Sequence, residues 1–157
     1  MKTFVQIAIA LMLFMGGCSK KTIDVAGTKG MISDIEKEMI TEKYWKLIEL
    51  RGKPVVLDES VNREPFFILK TEDRRVNGNT GCNTLMGTYE IDPAAKRIKF
   101  SQMATSMMMC LNMEIENEMK KVFEMTDNYA LSPDGKYLSL NRARMAPLAR
   151  FEVVYLR

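Results

Sequence analysis

From Tyr44 to its end, the chain is a succession of short apolar or alternating runs separated by residues that favour turns. Runs of this length and composition are typical of β-strands. Asp134-Gly135, with an apolar run on each side, is a strong hairpin signal. The main runs are Trp45–Leu50, Phe66–Leu69, Leu85–Tyr89, Arg97–Phe100, Tyr129–Leu131, Tyr137–Leu140 and Leu148–Leu156. Their spacing predicts that residues 44–157 form one mainly β domain, an antiparallel sandwich or barrel-like fold.

One segment lacks this pattern of short strand-like runs. Asn112 is placed to cap a helix that continues to about Met125, with acidic residues in the first turn and lysines further on, as the helix dipole favours. Its apolar residues fall on one stripe, which we expect to pack against the sheet. The stripe consists of Ile115, Met119, Val122 and Phe123.

The first 18 residues have the pattern of an export signal. A positively charged start precedes the apolar run 4–15, and two glycines stand directly before Cys18. The run is too short for the roughly 20 residues of a membrane-spanning helix. We therefore expect residues 1–17 to be a lipoprotein signal peptide, with cleavage before Cys18 and lipid attached to it. The alternative is an ordinary secretory signal with an incidental cysteine.

Residues 18–43 are expected to be a lipid-anchored tether, flexible to about Gly30, that lifts the domain off the membrane. Ser33 to Glu36 has the spacing of a capping box, which predicts a short helix. Ser19 lacks the acidic character associated with retention at the inner membrane. We therefore expect an exported protein anchored to the outer membrane, on its periplasmic or its surface face, with the membrane as one partner.

Composition argues against several function classes. The chain contains no histidine, which removes the commonest general base and the commonest zinc ligand. Its formal net charge of +3 arises from interspersed charges rather than a basic stripe, so no nucleic-acid partner is expected. Glu114, Glu116 and Glu118 lie close together, but we expect them to solvate the exposed side of the predicted helix. The sequence therefore predicts no catalytic residue, no enzyme activity and no cofactor.

Cys82 and Cys110 are the cysteines of the chain besides Cys18. In an oxidising compartment an isolated pair favours a disulfide, and a redox or metal role is the alternative. The sequence around Cys110 is rich in methionine, whose thioether suits copper(I). An alternative function is therefore copper(I) handling, while the competing explanation is that these methionines fill irregular core space. The alternative ligand set is Met107, Met109, Cys110 and Met113.

Three motifs stand in a specific order in the domain. Trp45-Lys-Leu opens it, Gly81-Cys-Asn followed by Gly87-Thr-Tyr lies in its middle, and Thr105-Ser-Met-Met-Met-Cys precedes the acidic start of the predicted helix. Together they closely resemble the META domain family, also described as HslJ-like, over about residues 44–157. The chain departs from the family's Thr-Arg-Met-Ala-Cys pattern in the third motif, where it lacks the arginine.

This resemblance implies an antiparallel β-barrel-like fold with one packed α-helix, a disulfide between Cys82 and Cys110, and a link to envelope stress without a defined ligand. The motif loop, with Asn77, Gly78, Gly81 and Asn83, is expected to be a turn with positive φ at one or two glycines. It would place Cys82 at the start of a strand. The combined expectation is a non-enzymatic envelope lipoprotein that binds an unknown envelope protein or small ligand.

Overall fold

The computed structural model describes residues 25–57 and 63–155. Within them the backbone forms two helices, nine strands and one short 3-10 turn. The helices are α1 (Val25–Ile40) and α2 (Glu114–Met125), and the 3-10 turn is Glu72–Arg74. The strands are β1 (Tyr44–Leu50), β2 (Lys53–Pro54), β3 (Phe66–Leu69), β4 (Arg75–Asn79), β5 (Thr84–Asp92), β6 (Arg97–Thr105), β7 (Asn128–Leu131), β8 (Tyr137–Asn141) and β9 (Ala149–Val154). The predicted signal peptide 1–17, Cys18 and the tether up to residue 24 lie outside the described residues.

All strand pairs are antiparallel, and their order along the sheet is β2-β1-β3-β4-β5-β6-β7-β8-β9. β1 also pairs with β9 along its length, from Tyr44 opposite Val154 to Leu50 opposite Ala149. The sheet therefore closes on itself as a ring. The predicted mainly β, antiparallel, barrel-like fold with a packed helix is confirmed.

Helix α2 lies beside the most sparsely paired seam of this ring. In the described part of the chain, β6 and β7 are paired in register only at Arg97 and Asn128. α2 packs beside that seam against β6, and its residues Met119, Val122 and Phe123 are fully buried. Burying a side chain of this size stabilises by about 1.5–3 kcal/mol. A helix this short is therefore held by packing rather than by its own propensity.

The predicted stripe of α2 is confirmed, although Ile115 is only partly buried. The helix begins at Glu114 rather than at Asn112. The N-cap position is Met113, which makes no side-chain capping bond, so the prediction of Asn112 as the N-cap is wrong by one residue. From the position before it, the Asn112 side-chain oxygen accepts a hydrogen bond of 2.9 Å from the Glu114 N–H. One otherwise unpaired donor of the first turn is thereby satisfied.

The core inside the ring is organised around aromatic rings. Phe67 of β3 meets Phe151 of β9 edge to face at 4.7 Å between centroids and Phe123 of α2 at 5.6 Å. Phe100 of β6 contacts Phe123 in the same way at 4.7 Å. Edge-to-face pairs of this kind add about 0.5–1.5 kcal/mol beyond the burial of their area. They tie the helix to opposite sides of the sheet.

The ring has two ends, which we call the α1 pole and the disulfide pole. The α1 pole carries the turns 70–74, 93–96 and 132–136. Helix α1 lies against this end, because Glu36 forms an ion pair with Lys96 and the Ile40 carbonyl accepts a hydrogen bond of 2.8 Å from the Trp45 indole. The disulfide pole carries the connections at the opposite end, among them 51–57, 80–83 and 106–113. The N-terminal segment thus joins the domain at the α1 pole.

Helix α1 is longer than the sequence analysis predicted. The capping-box pattern predicts a start at Ser33, after a flexible tether that extends to about Gly30, but the helix begins at Val25. A capping pattern inside a helix does not interrupt it, and a glycine such as Gly27 costs only about 1 kcal/mol. No helix in residues 25–57 or 63–155 is long and apolar enough to cross a membrane.

Candidate functional site

The predicted turn in the motif loop is displaced towards its C-terminal part. Asn77 and Gly78 lie inside β4, and positive φ occurs at Gly81 rather than at Gly78. Glycine is needed at position 78 for another reason, since a Cβ there would clash with the Phe66 carbonyl oxygen of β3. The Gly81 φ of 99° lies in the region that favours glycine. Cys82 sits in the loop rather than at a strand start, because β5 begins only after Asn83.

The loop of residues 80–83 is buried although it is polar. Thr80, Cys82 and Asn83 are each at most 3% exposed. The Thr80 N–H donates to the Asn83 carbonyl at 2.9 Å, and the Gly81 N–H donates to the Asn79 side-chain oxygen at 2.8 Å. These bonds close a tight turn whose polar groups are satisfied, as burial requires.

A disulfide joins Cys82 to Cys110, which are 28 positions apart in sequence and have Cα atoms 6.0 Å apart. The separation lies within the range that an unstrained bridge spans. Loop closure over this length stabilises by roughly 3–4 kcal/mol in the chain-entropy account. The bond fixes the segment 106–113 to the buried loop.

Asn83 is the second attachment of that segment. Its side-chain oxygen accepts hydrogen bonds from the Ser106 hydroxyl and the Met108 N–H, both at 2.7 Å. Its side-chain nitrogen donates to the Met108 carbonyl at 3.1 Å and to a Glu116 carboxylate oxygen at 2.9 Å. An amide side chain offers two donors and one oxygen acceptor with two lone pairs, so the capacity of Asn83 is fully used. The Asn83 side-chain amide thus hydrogen-bonds both the N–H and the carbonyl of Met108, as the backbone of a neighbouring strand would.

Glu116 lies at the centre of this network and is 2% exposed, so the prediction that it solvates the surface of the helix is wrong. Its Oε2 accepts a hydrogen bond of 2.7 Å from the Thr80 hydroxyl. The same oxygen accepts hydrogen bonds from the Asn83 side-chain nitrogen at 2.9 Å and from the Asn83 backbone N–H at 3.2 Å. Its Oε1 pairs with Lys120 one turn along α2 at 2.7 Å. A sequence signal for this burial existed, because Glu116 stands three and seven residues before Met119 and Phe123 and so shares their face of the helix.

The Glu116 carboxylate is held in its charged form. Burial by itself raises its pKa, but hydrogen bonds from Lys120, Thr80 and Asn83 outweigh that effect and hold the pKa below its usual value. A general base works best with a pKa near the operating pH and with an open approach to substrate. Glu116 has neither, so its geometry fits an anchor for the loop. The other two acids differ, since Glu114 is exposed and Glu118 pairs with Arg51.

Outside this anchored framework, the segment presents apolar side chains to solvent. Met107 is 99% exposed, Met109 98% and Leu111 96%, while Met108 between them is 51% exposed. The explanation that the methionines fill core space is therefore wrong for Met107 and Met109. Exposed apolar side chains gathered on one surface commonly mark an interaction site.

A groove of about 420 Å³ lies beside this segment, between the β1–β2 hairpin and the start of α2. Leu50, Val55 and Ile115 supply its apolar part, and Arg51 reaches Glu118 at 2.8 Å. Lys121 and Arg51 together lower the pKa of Glu118. The groove is thus apolar with a charged rim and adjoins the exposed segment through its lining residue Asn112.

The alternative copper(I) ligand set is placed as follows. Met107 and Met109 are in solvent, Met113 is half-buried, and the Cys110 sulfur is bonded to Cys82. In this oxidised form the structure does not offer Cys110 as a thiolate ligand. Among the described residues, no group of three or more Cys, Asp or Glu side chains is arranged to hold a metal ion.

The sequence profile of the META domain matches residues 38–155. This match includes the closed ring, α2 and the last turn of α1. No curated protein matches the chain significantly. The match therefore identifies the domain, while the comparison with solved structures tests its fold.

Two solved structures share this fold. The NMR structure of a protein from Burkholderia xenovorans superposes with a TM-score of 0.60 at 17% identity, covering 76% of this chain and 87% of that one. The crystal structure of a DUF4847 family protein from Bacteroides vulgatus gives a TM-score of 0.55 at 13% identity, covering 74% and 96%. At these identities the likeness concerns the fold alone.

Proposed function

We propose, from the premise that this chain belongs to the META domain family, that the protein is a non-enzymatic envelope lipoprotein serving as a small interaction module linked to envelope stress. The observation that supports this proposal best is the disulfide pole, where Met107, Met109 and Leu111 project from a cross-linked framework. Leaving three large apolar side chains in water is unfavourable, and covering them on binding recovers about 25 cal/mol per Å² of apolar area.

A held segment is better suited to binding than a mobile one. Ordering a flexible segment on association costs free energy for each side chain and backbone unit that is immobilised. Here the disulfide and the Asn83–Met108 hydrogen bonds restrict the backbone before any partner arrives. The polar network beneath thus serves binding indirectly, by fixing the position of the apolar side chains.

The position of the segment suits a protein anchored through its N-terminus. α1 leads into the domain at the α1 pole, and the segment lies at the opposite end of the ring. With lipid on Cys18, the disulfide pole would face away from the anchor and towards envelope components. The expected localisation is the outer membrane, and the expected partner is an envelope protein or small ligand.

Site-specific photo-crosslinking in cells tests the proposed interaction. A photoreactive residue replaces Met109 in the disulfide pole, and the matched control replaces Ala130, an exposed residue of β7. We expect a discrete crosslinked product from position 109 that is absent from position 130. Identical patterns at both positions would contradict an interaction surface at the disulfide pole.

Anchoring has its own test. Cys18→Ala is expected to abolish incorporation of a palmitate analogue and to leave precursor or released soluble protein. Label that persists on the alanine variant, or that is absent from the wild type, would contradict the lipoprotein assignment. The crosslinking assay compares positions 109 and 130 and does not use the Cys18→Ala variant. The test of anchoring and the test of the interaction surface are therefore independent.

A second candidate function is copper(I) handling, and the observation that favours it is the accessibility of the Met107 and Met109 thioethers. The oxidised state of Cys110 argues against the four-residue ligand set. Titration with copper(I) against a competing chelator separates the cases. Binding that is lost in Met107→Leu/Met109→Leu would support this candidate, and no binding in either redox state would contradict it.

A further inference from the structure

The disulfide pole holds a pair of methionines whose environment differs from that of the core methionines. Met107 and Met109 are almost fully exposed, whereas Met119 of α2 is completely buried. Met108 is intermediate at 51%, and Met145, on another loop, is 68% exposed. The reactivity of a thioether towards oxidants in solution follows its exposure.

The exposure of this pair is imposed by the backbone. The N–H and carbonyl of Met108 are both bound by Asn83, and Cys110 is fixed by its bond to Cys82. With the backbone of Met108 and the sulfur of Cys110 held in this way, the side chains of Met107 and Met109 project into solvent. Collapse of the two side chains onto the protein surface is therefore restrained.

The chemical setting favours oxidation at the thioethers. The two cysteine sulfurs nearby are already joined as a disulfide, so neither offers a thiolate to compete for oxidant. Oxidation of Met107 or Met109 also breaks no packing, because these side chains are in solvent. In a buried methionine such as Met119, the same change would place a polar group in the core.

We propose that Met107 and Met109 form a reversible oxidation site for hydroperoxides and hypohalous acids. The thioether sulfur attacks the oxidant's electrophilic oxygen, an S–O bond forms, and the O–O or O–halogen bond breaks. Sulfur loses two electrons and becomes a sulfoxide. Hydrogen peroxide is reduced to water, and hypochlorous acid to chloride with release of its proton. A methionine sulfoxide reductase restores the thioether with a dithiol as reductant, which becomes a disulfide while the sulfoxide oxygen leaves as water.

The consequence is a change of surface polarity without unfolding. Two of the three almost fully exposed apolar side chains of the segment become polar and chiral, while the disulfide, Asn83 and Glu116 are untouched. Oxidation would then weaken any apolar contact made by the segment. The modification itself does not require the proposed function, since it follows from exposure and sulfur chemistry alone.

Limited oxidation with site-resolved peptide mapping tests this inference. The full protein, with its disulfide intact, is treated with hydrogen peroxide, and sulfoxide is quantified at each methionine over time. We expect Met107 and Met109 to react within about twofold of free methionine, Met108 more slowly, and Met119 more than about tenfold more slowly. Oxidation of the pair should leave the unfolding transition unchanged, and a sulfoxide reductase should reverse it.

Met107→Leu/Met109→Leu provides the matched variant, because leucine keeps the apolar volume without an oxidisable sulfur. It should lose the fastest phase of sulfoxide formation and keep the slower phase at Met145. Rates at Met107 and Met109 no faster than at Met108 would overturn the inference, as would a lowered unfolding temperature once only the pair is oxidised. Photo-crosslinking reports on partner binding, whereas peptide mapping reports on oxidation of the thioethers. Failure of either experiment therefore does not imply that the other proposal is wrong.

Discussion

Replacing Glu116 by alanine should destabilise the domain more than the loss of an exposed acid from the same helix would. The carboxylate accepts hydrogen bonds from Thr80, Asn83 and Lys120 while 2% exposed. A hydrogen bond to a charged group contributes about 1.5–3 kcal/mol. The loss is partly offset, because Asn83 keeps Met108 as an acceptor and Lys120 is partly in water. We therefore expect Glu116→Ala to lower the free energy of unfolding by about 2–4 kcal/mol.

The assay is equilibrium unfolding in urea with the disulfide intact. Glu114→Ala is the matched control, because Glu114 is an exposed acid in the same first turn. It loses at most the helix-dipole interaction, which is worth about 0.3–1 kcal/mol. Glu116→Ala and Glu114→Ala with equal effects would refute the assignment of Glu116 as the buried anchor.

The contribution of Glu116 should also depend on pH with a defined sign. Its pKa in the folded protein lies below the ordinary value of 4.5. The folded state therefore favours the charged form, and the associated stability is present above pH 4.5 and decreases as the pH falls through the folded pKa. Glu116→Gln should thus differ from the wild type most above pH 4.5 and progressively less below it. A difference independent of pH would contradict this mechanism.

Three further changes test the framework. Cys82→Ser/Cys110→Ser should lower the free energy of unfolding by about 2–4 kcal/mol without changing the circular dichroism spectrum, and two freely reactive thiols in the native wild type would contradict the disulfide. Met119→Ala should cost about 2–4 kcal/mol in urea unfolding, and a cost below about 0.5 kcal/mol would place that side chain outside the core. Gly78→Ala should destabilise the domain by about 1–3 kcal/mol, because the added Cβ clashes with β3. The control Gly30→Ala in α1 meets no such clash and should not destabilise it. Equal thermal unfolding of the two variants would refute the steric explanation.

Much of the ring was predictable because its turns are encoded locally. Asp134-Gly135 marked the β7–β8 hairpin, and the apolar run Phe66–Leu69 coincides with β3. Turn chemistry and strand alternation act over a few residues, so they can be recognised without knowledge of the partner strand. The closure of β1 on β9 depends on long-range pairing, and the choice between a sandwich and a closed ring stayed open in the sequence.

The errors arose where a residue type was interpreted without its three-dimensional neighbours. Asn77-Gly78 is a frequent turn dipeptide, but here the close approach of β3 explains the glycine. The acidic side chain of Glu116 predicts a place on the surface, whereas its helical spacing from Met119 indicates the buried face, where it lies. Its partners Thr80 and Asn83 are more than thirty residues away in sequence, and only the folded chain brings them to the carboxylate.

Amide hydrogen exchange at Met108 tests the central claim that the disulfide pole holds its apolar segment in one conformation. The Met108 N–H donates to the Asn83 side-chain oxygen at 2.7 Å. We expect this amide to be protected by at least about tenfold in the wild type and to lose protection in Asn83→Ala. The Leu138 amide in β8 should stay protected in both proteins as evidence of an intact fold. Exchange of the wild-type Met108 amide at the rate of an unstructured peptide would contradict the account.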